Sequence, residues 1–260
     1  MPELPDVETF RRYFDATSLH KAIAGVQVKA ERVLSGLTPA DLQKGLINDQ
    51  FRSSKRVGKY LFGELKASWM VFHFGMTGSF QYFKDPEDEP DHTAVLIRFE
   101  NGYHLAYIDI RKFGLIALTE RVDTFIREKN LGPDALSIRE DAFVELLRGR
   151  RGSVKAALMD QSLISGIGNI YADEILFQAG IHPENGIDSL AETELHHLYV
   201  TLKGVLEAAI EAGAEIEKLP DTYIIPNREK GGICPRCGQP LHTIKVGGRT
   251  TYFCPNEQKK

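Results

Sequence analysis

Between about residues 20 and 118 the apolar positions come in short runs separated by turn-forming residues. Tyr60–Leu65, Trp69–Phe74, Ala94–Phe99 and Tyr103–Ile108 are four of them, rich in aromatic and β-branched side chains. Such runs predict strands, and several in succession predict a β-sandwich or barrel. The last two flank Asn101-Gly102, a pair suited to a hairpin turn because both residues tolerate positive φ. Ahead of the strands, Val7, Phe10 and Phe14 recur at helical spacing and predict a short helix over residues 5–14. Beyond residue 139 the period changes. Leu195, Leu198, Leu202, Val205 and Ala209 follow a 3.6-residue repeat, and Gly213 stands where that helix should stop.

This pattern describes an α+β, multi-domain chain. A leading helix and β-sandwich occupy 1–118, a linker containing the breaker Gly132-Pro133 occupies 119–138, and a helical domain occupies 139–230. Residues 231–260 form a last unit too small to bury a core of its own. The segment Asp85–Asp91, with five acids and two prolines, reads as a mobile surface excursion.

Composition adds exclusions. At 42% apolar residues the chain of 260 can bury a sizeable core, so wholesale disorder is excluded. No apolar run approaches the ~18–20 residues that a membrane-crossing helix needs. The opening MPELPDVETF is acidic where a secretory signal would be basic and then apolar. An intracellular, monomeric protein is expected. Three cysteines, all near the C-terminus, do not make a disulfide framework.

The net charge of −4 argues against a polyanionic partner, but its distribution argues for one. Windows 51–63, 148–155 and 227–249 each carry +4, which leaves −16 for the remainder. Segregation of this kind suits a basic cleft on an acidic body, the electrostatic footprint of a nucleic-acid site.

Three local motifs carry chemistry. The tail reads Cys234-x2-Cys237-x16-Cys254-x2-Glu257, the spacing of two metal-binding knuckles on a hairpin. It predicts structural Zn2+, with Glu257 or His242 as fourth ligand; the alternative is a degenerate finger held by packing alone. In the second motif a helix bearing Lys155 ends near Asp160, Gly166 and Gly168 allow tight turns, and another helix starts near Asn169. Backbone N–H groups at such a helix start favour phosphate, and Asn169 is placed to cap the helix or to bond a phosphate. The third motif is Pro2-Glu3. Removal of Met1 would leave a secondary amine beside a carboxylate. An α-amino group has a pKa of roughly 7.7–8.0 against about 10.4 for lysine, which makes it a credible Schiff-base nucleophile near neutrality.

Together these residues resemble the Fpg/Nei family of DNA glycosylases/AP lyases, nearly end to end. The matching segments are MPELPDVET, GKYLFGEL, HFGMTGSF, DIRKFG, GIGNIYADEILFQAGIHP and GRTTYFCP. The opening segment resembles the formamidopyrimidine branch more than the endonuclease VIII branch. The resemblance implies a bifunctional enzyme acting on damaged double-stranded DNA. It gives Pro2 the role of nucleophile and Glu3 that of proton shuttle. Lys59 and Arg249 would serve the reacting phosphates, and His92, Lys155 and Asn169 would contact DNA. Met76, Arg111 and Phe113 would fill the gap left by an extruded nucleotide. From composition alone Met76 and Phe113 are more often core residues. The alternatives are a non-catalytic damage-binding protein of the same fold, or a relative preferring oxidised pyrimidines or hydantoins to 8-oxoguanine. Three departures stand out. Asp6 replaces a usual Glu, Glu257 replaces the fourth cysteine, and the Gly213–Cys234 stretch is short where the family carries a loop over flipped 8-oxoguanine.

Overall fold

The structure, a computed structural model, describes all 260 residues. The chain divides into two compact units. One holds Met1–Pro2 and Asp6–Lys129, the other Glu3–Pro5 and Asn130–Lys260.

The first unit opens with most of α1 (Leu4–Ser18), longer than the predicted 5–14. Then follow β1 (Ile23–Val28), α2 (Pro39–Leu46), β2 (Ser54–Val57), β3 (Tyr60–Glu64), β4 (Trp69–His73) and β5 (Gly78–Phe83). The remaining elements are β6 (Thr93–Phe99), β7 (His104–Asp109), β8 (Leu115–Thr119) and α3 (Val122–Glu128). The strands form two antiparallel four-stranded sheets, ordered β1-β6-β7-β5 and β2-β3-β4-β8. Phe14, Phe51, Leu61, Phe72, Phe74, Val95 and Tyr107 fill the main core. The centres of β3 and β4 are buried on both faces, because α3 lays Val122 and Phe125 over Phe62 and Val71. Two-sided burial is why these strands read as continuous apolar runs. It also means that the expected linker begins with a helix that belongs to the sandwich. The β6–β7 turn forms as the sequence predicts: Gly102 takes φ +82°, and Asn101 Oδ1 accepts the Tyr103 N–H at 3.1 Å. The acidic excursion is exposed, and Glu89 pairs with Lys29 at 2.6 Å.

The second unit contains α4 (Glu140–Leu147), α5 (Val154–Met159), α6 (Asn169–Gln178), α7 (Glu192–Glu211), β9 (His242–Val246) and β10 (Arg249–Phe253). Every predicted apolar position of α7 is buried. Its end is a Schellman cap: the Gly213 N–H bonds Ile210 O at 3.0 Å and the Ala214 N–H bonds Ala209 O at 2.8 Å, with Gly213 at φ +66°. Helix α6 lies at the centre, with Tyr171 through Phe177 all buried. Two carboxylates, Asp173 and Glu174, are therefore carried into the interior.

Candidate active site

Glu3 sits on the turn between α5 and α6. Its Oε2 accepts the N–H groups of Gly168 at 2.8 Å and Tyr171 at 3.2 Å, and its Oε1 accepts that of Ile170 at 2.9 Å. The Leu4 N–H bonds Gly166 O at 3.0 Å. A Cβ on Gly166 would fall 2.5 Å from the Leu4 side chain, so glycine lets the N-terminal segment lie directly on this turn. The expected anion site at the start of α6 is therefore real, but its anion is the protein's own. A carboxylate that arrives covalently leaves a phosphate none of these donors. Asn169 is not the helix cap either. Gly168 holds that place, and Asn169 is the first helical residue.

Lys155 requires a second correction. It is 0% exposed, and its Nζ donates to Asn169 Oδ1 at 2.7 Å and Thr251 Oγ1 at 2.6 Å and lies 2.6 Å from Asp173 Oδ1. An ammonium with three partners and no solvent contact cannot touch DNA. Burial lowers its pKa and Asp173 opposes that shift. Asp173 also accepts from Arg228 Nε at 2.7 Å and from the Tyr252 N–H at 3.1 Å. Asn169 Nδ2 donates to Thr250 O at 2.9 Å. No sequence motif marks Asp173 or Thr251, and Arg228 stands out only as one charge of the 227–249 window. The available signal is a pair of acids, Asp173 and Glu174, in the middle of an otherwise largely apolar helix.

Arg249 opens β10 and is exposed beside the two-residue turn Gly247-Gly248, in which both glycines have positive φ. The three cysteine sulfurs lie within 4.8 Å of one another, with Cys237 and Cys254 3.4 Å apart. Tetrahedral zinc with Zn–S bonds of ~2.3 Å wants sulfurs about 3.8 Å apart, so this donor set fits the metal. Glu257 is not with them. Its carboxylate lies 3.8 Å from Arg236. His242 is exposed, its ring against Phe253 at 5.8 Å between centroids. Zinc would be held by Cys234, Cys237 and Cys254 and would supply a structural crosslink.

In the first unit, Gly58-Lys59 forms the turn between β2 and β3, and Lys59 is buried there. Met76 and Phe113 are not core residues; they are 42% and 47% exposed. Asp109 joins their loops. Its Oδ1 accepts from Thr77 Oγ1 at 2.9 Å and its Oδ2 from the Gly114 N–H at 2.6 Å, while Thr77 Oγ1 accepts the Arg111 N–H at 3.1 Å. The Arg111 guanidinium lies 4.9 Å from the Phe113 ring centroid. His92 is exposed in a left-handed conformation, φ 62°. The basic windows are thinner than their composition suggests: Arg56 pairs with Glu8, Arg148 with Glu145 and Glu192, and Arg228 with Asp173.

The short stretch before the finger is pinned to α6. Glu174 Oε2 accepts the Ile225 N–H at 2.9 Å and its Oε1 accepts from Gln178 at 2.8 Å. Nearby, Ile216, Leu219, Pro220, Tyr223, Pro226 and Asn227 line a cavity of about 280 Å³. Burial pushes the Glu174 carboxyl up to about 7, from 4.5 in a free chain, against these donors. Between those pH values the folded protein keeps a proton that the unfolded chain has lost. The stabilisation is complete below pH 4.5 and is lost as pH rises through about 7. Wild type should lose roughly 2–3 kcal/mol relative to Glu174→Gln between about pH 5 and about pH 8. Urea unfolding of both proteins measures this, and a pH-independent difference between them would contradict it.

The chain is similar to known proteins along its whole length. Residues 1–116 match the formamidopyrimidine-DNA glycosylase N-terminal domain, 131–221 its H2TH domain, and 233–256 the zinc finger found in FPG and IleRS. A formamidopyrimidine-DNA glycosylase of Pelobacter propionicus is 36% identical over 268 residues, covering 100% of both chains. The Lactococcus lactis enzyme, non-covalently bound to DNA containing an AP site, superposes with a TM-score of 0.88 at 31% identity, over 99% of this chain and 100% of that one. The same enzyme with DNA containing N7-benzyl-Fapy-dG gives 0.88 at 32%, over 100% of both. The chain therefore belongs to the formamidopyrimidine-DNA glycosylase family.

Proposed function

We propose that this chain excises oxidised bases from double-stranded DNA and cuts the strand at the resulting site by β,δ-elimination. The observation that carries this reading is the placement of Glu3. A carboxylate fixed by three backbone N–H groups immediately follows the residue whose amine is the nucleophile. Once Met1 is removed, the Pro2 amine attacks C1′ and the base leaves. Glu3 takes the proton that the prolyl nitrogen sheds on attack, gives it to the sugar ring oxygen and moves protons through the imine. The imine acidifies C2′, so elimination breaks the strand on both sides. Residues 1–118 supply Pro2, Lys59 and the Met76–Arg111–Phe113 wedge, with His92 on the DNA strand. Residues 139–230 supply Asn169. Residues 231–260 supply Arg249 for the phosphate beside the lesion. An enzyme of this kind works where the DNA is, in the nucleoid if the source is a prokaryote.

For the lesion, the pinned 213–234 stretch favours a substrate that needs no long covering loop. Ring-opened formamidopyrimidines or hydantoins are therefore expected to be excised faster than 8-oxoguanine. Single-turnover excision across duplexes carrying each lesion tests this. Fastest excision of 8-oxoguanine would overturn the lesion assignment.

A further inference from the structure

A two-stranded ribbon leaves the outer edge of each strand without backbone partners, and alone it is marginally stable. Here the outer edge of β10 is taken up by side chains of α6. Thr250 O accepts from Asn169, and the Tyr252 N–H donates to Asp173. Between them, the Thr251 hydroxyl accepts from Lys155 and donates to Arg249 O at 3.2 Å. Three consecutive residues after Arg249 are thus held by one buried node, closed by Arg228 on Asp173. The other end of the strand is held separately. Gln258 Oε1 accepts the Cys254 N–H at 2.9 Å, and its Nε2 donates to Ile181 O at 2.9 Å. Gln258 is buried and directly follows Glu257, the position at which a fourth ligand is missing.

We propose that the Asp173–Lys155–Arg228 node and Gln258, rather than a metal centre, hold the β10 strand and Arg249 in place. Lys155 and Asp173 are then positioning residues. The three-thiolate site closes the finger loop but does not dock the strand. The catalytic consequence rests on the role given to Arg249, whereas the docking itself does not.

Hydrogen exchange of the β10 amides in the full-length protein tests the docking. Exchange is measured before and after zinc removal by 1,10-phenanthroline, with metal content checked. The knuckle amides near Cys234–Cys237 should exchange faster after chelation, and the Thr250–Tyr252 amides should change less than ~10-fold. Asp173→Asn should speed the latter by ~100-fold or more, since it leaves Lys155 buried without its counter-charge. Because that variant risks global unfolding, Asp173→Asn/Lys155→Met, a neutral pair, and Gln258→Ala are measured beside it. Both should melt cooperatively and still release the strand. A second readout separates positioning from direct DNA contact. Lys155→Met should weaken DNA binding without changing the slope of log K against log salt, whereas loss of a phosphate contact flattens that slope by about one. If chelation alone releases Thr250–Tyr252, or the folded neutral pair keeps them protected, the proposal is wrong. If docking behaves as stated but Arg249→Ala cleaves normally, only the functional role of Arg249 falls.

Discussion

Glu3→Gln is expected to lower base excision by about 10²–10⁴-fold, the usual worth of a general acid. The structure adds a second effect. Glutamine offers one oxygen where glutamate offers two, so at least one of the Gly168, Ile170 and Tyr171 N–H groups would face an amide N–H₂. A buried unsatisfied donor costs roughly 1–3 kcal/mol, so the variant should also be measurably less stable. The two effects separate cleanly. Binding to a tetrahydrofuran abasic analogue, which requires no proton transfer, should survive within ~10-fold as long as the variant remains folded. Single-turnover excision, equilibrium unfolding and analogue binding on one preparation check all three. Undiminished excision would remove Glu3 from the chemistry.

The second large effect is expected at the exposed loops. Extruding a nucleotide costs a few kcal/mol of stacking, which inserted side chains offset in part. Met76 and Phe113 are large apolar groups left in solvent, and Arg111 stacks beside Phe113. Replacing all three by alanine should slow excision from duplex DNA by roughly 10–100-fold. Strand cleavage at an abasic site already present in single-stranded DNA should change little, since nothing need be extruded. Equal losses on both substrates would show that the loops serve general binding instead. Asp109 and Thr77 hold these loops, so an unchanged melting temperature of the triple variant should show that their support is intact.

The sequence made local features legible and hid those that depend on distant partners. The β6–β7 hairpin was readable because Asn101-Gly102 states its turn chemistry in two residues. Helix α7 was readable because its apolar repeat runs for several turns. Helix α3 was not, because seven residues are too few to establish a period. The burial of Lys155 is hidden in the sequence for a physical reason: lysine is almost never buried without a counter-charge. Its counter-charge, Asp173, becomes a neighbour only once α5 and α6 fold together. The anion site at α6 was foreseen, but its occupant lies 165 residues away from Gly168 in the chain. Met76 and Phe113 were assignable to solvent only through the resemblance, since nothing local separates a wedge from a core residue.

In the proposed function, chemistry begins at the amine of residue 2. Borohydride reduction of the protein reacting with duplex DNA that carries a ring-opened purine tests it most directly. A covalent protein–DNA adduct is expected whose digestion places the crosslink on Pro2, in chains that have lost Met1, with sharply weaker trapping by Pro2→Gly. An adduct of undiminished yield in chains that retain Met1, or one mapped to a lysine, would contradict it.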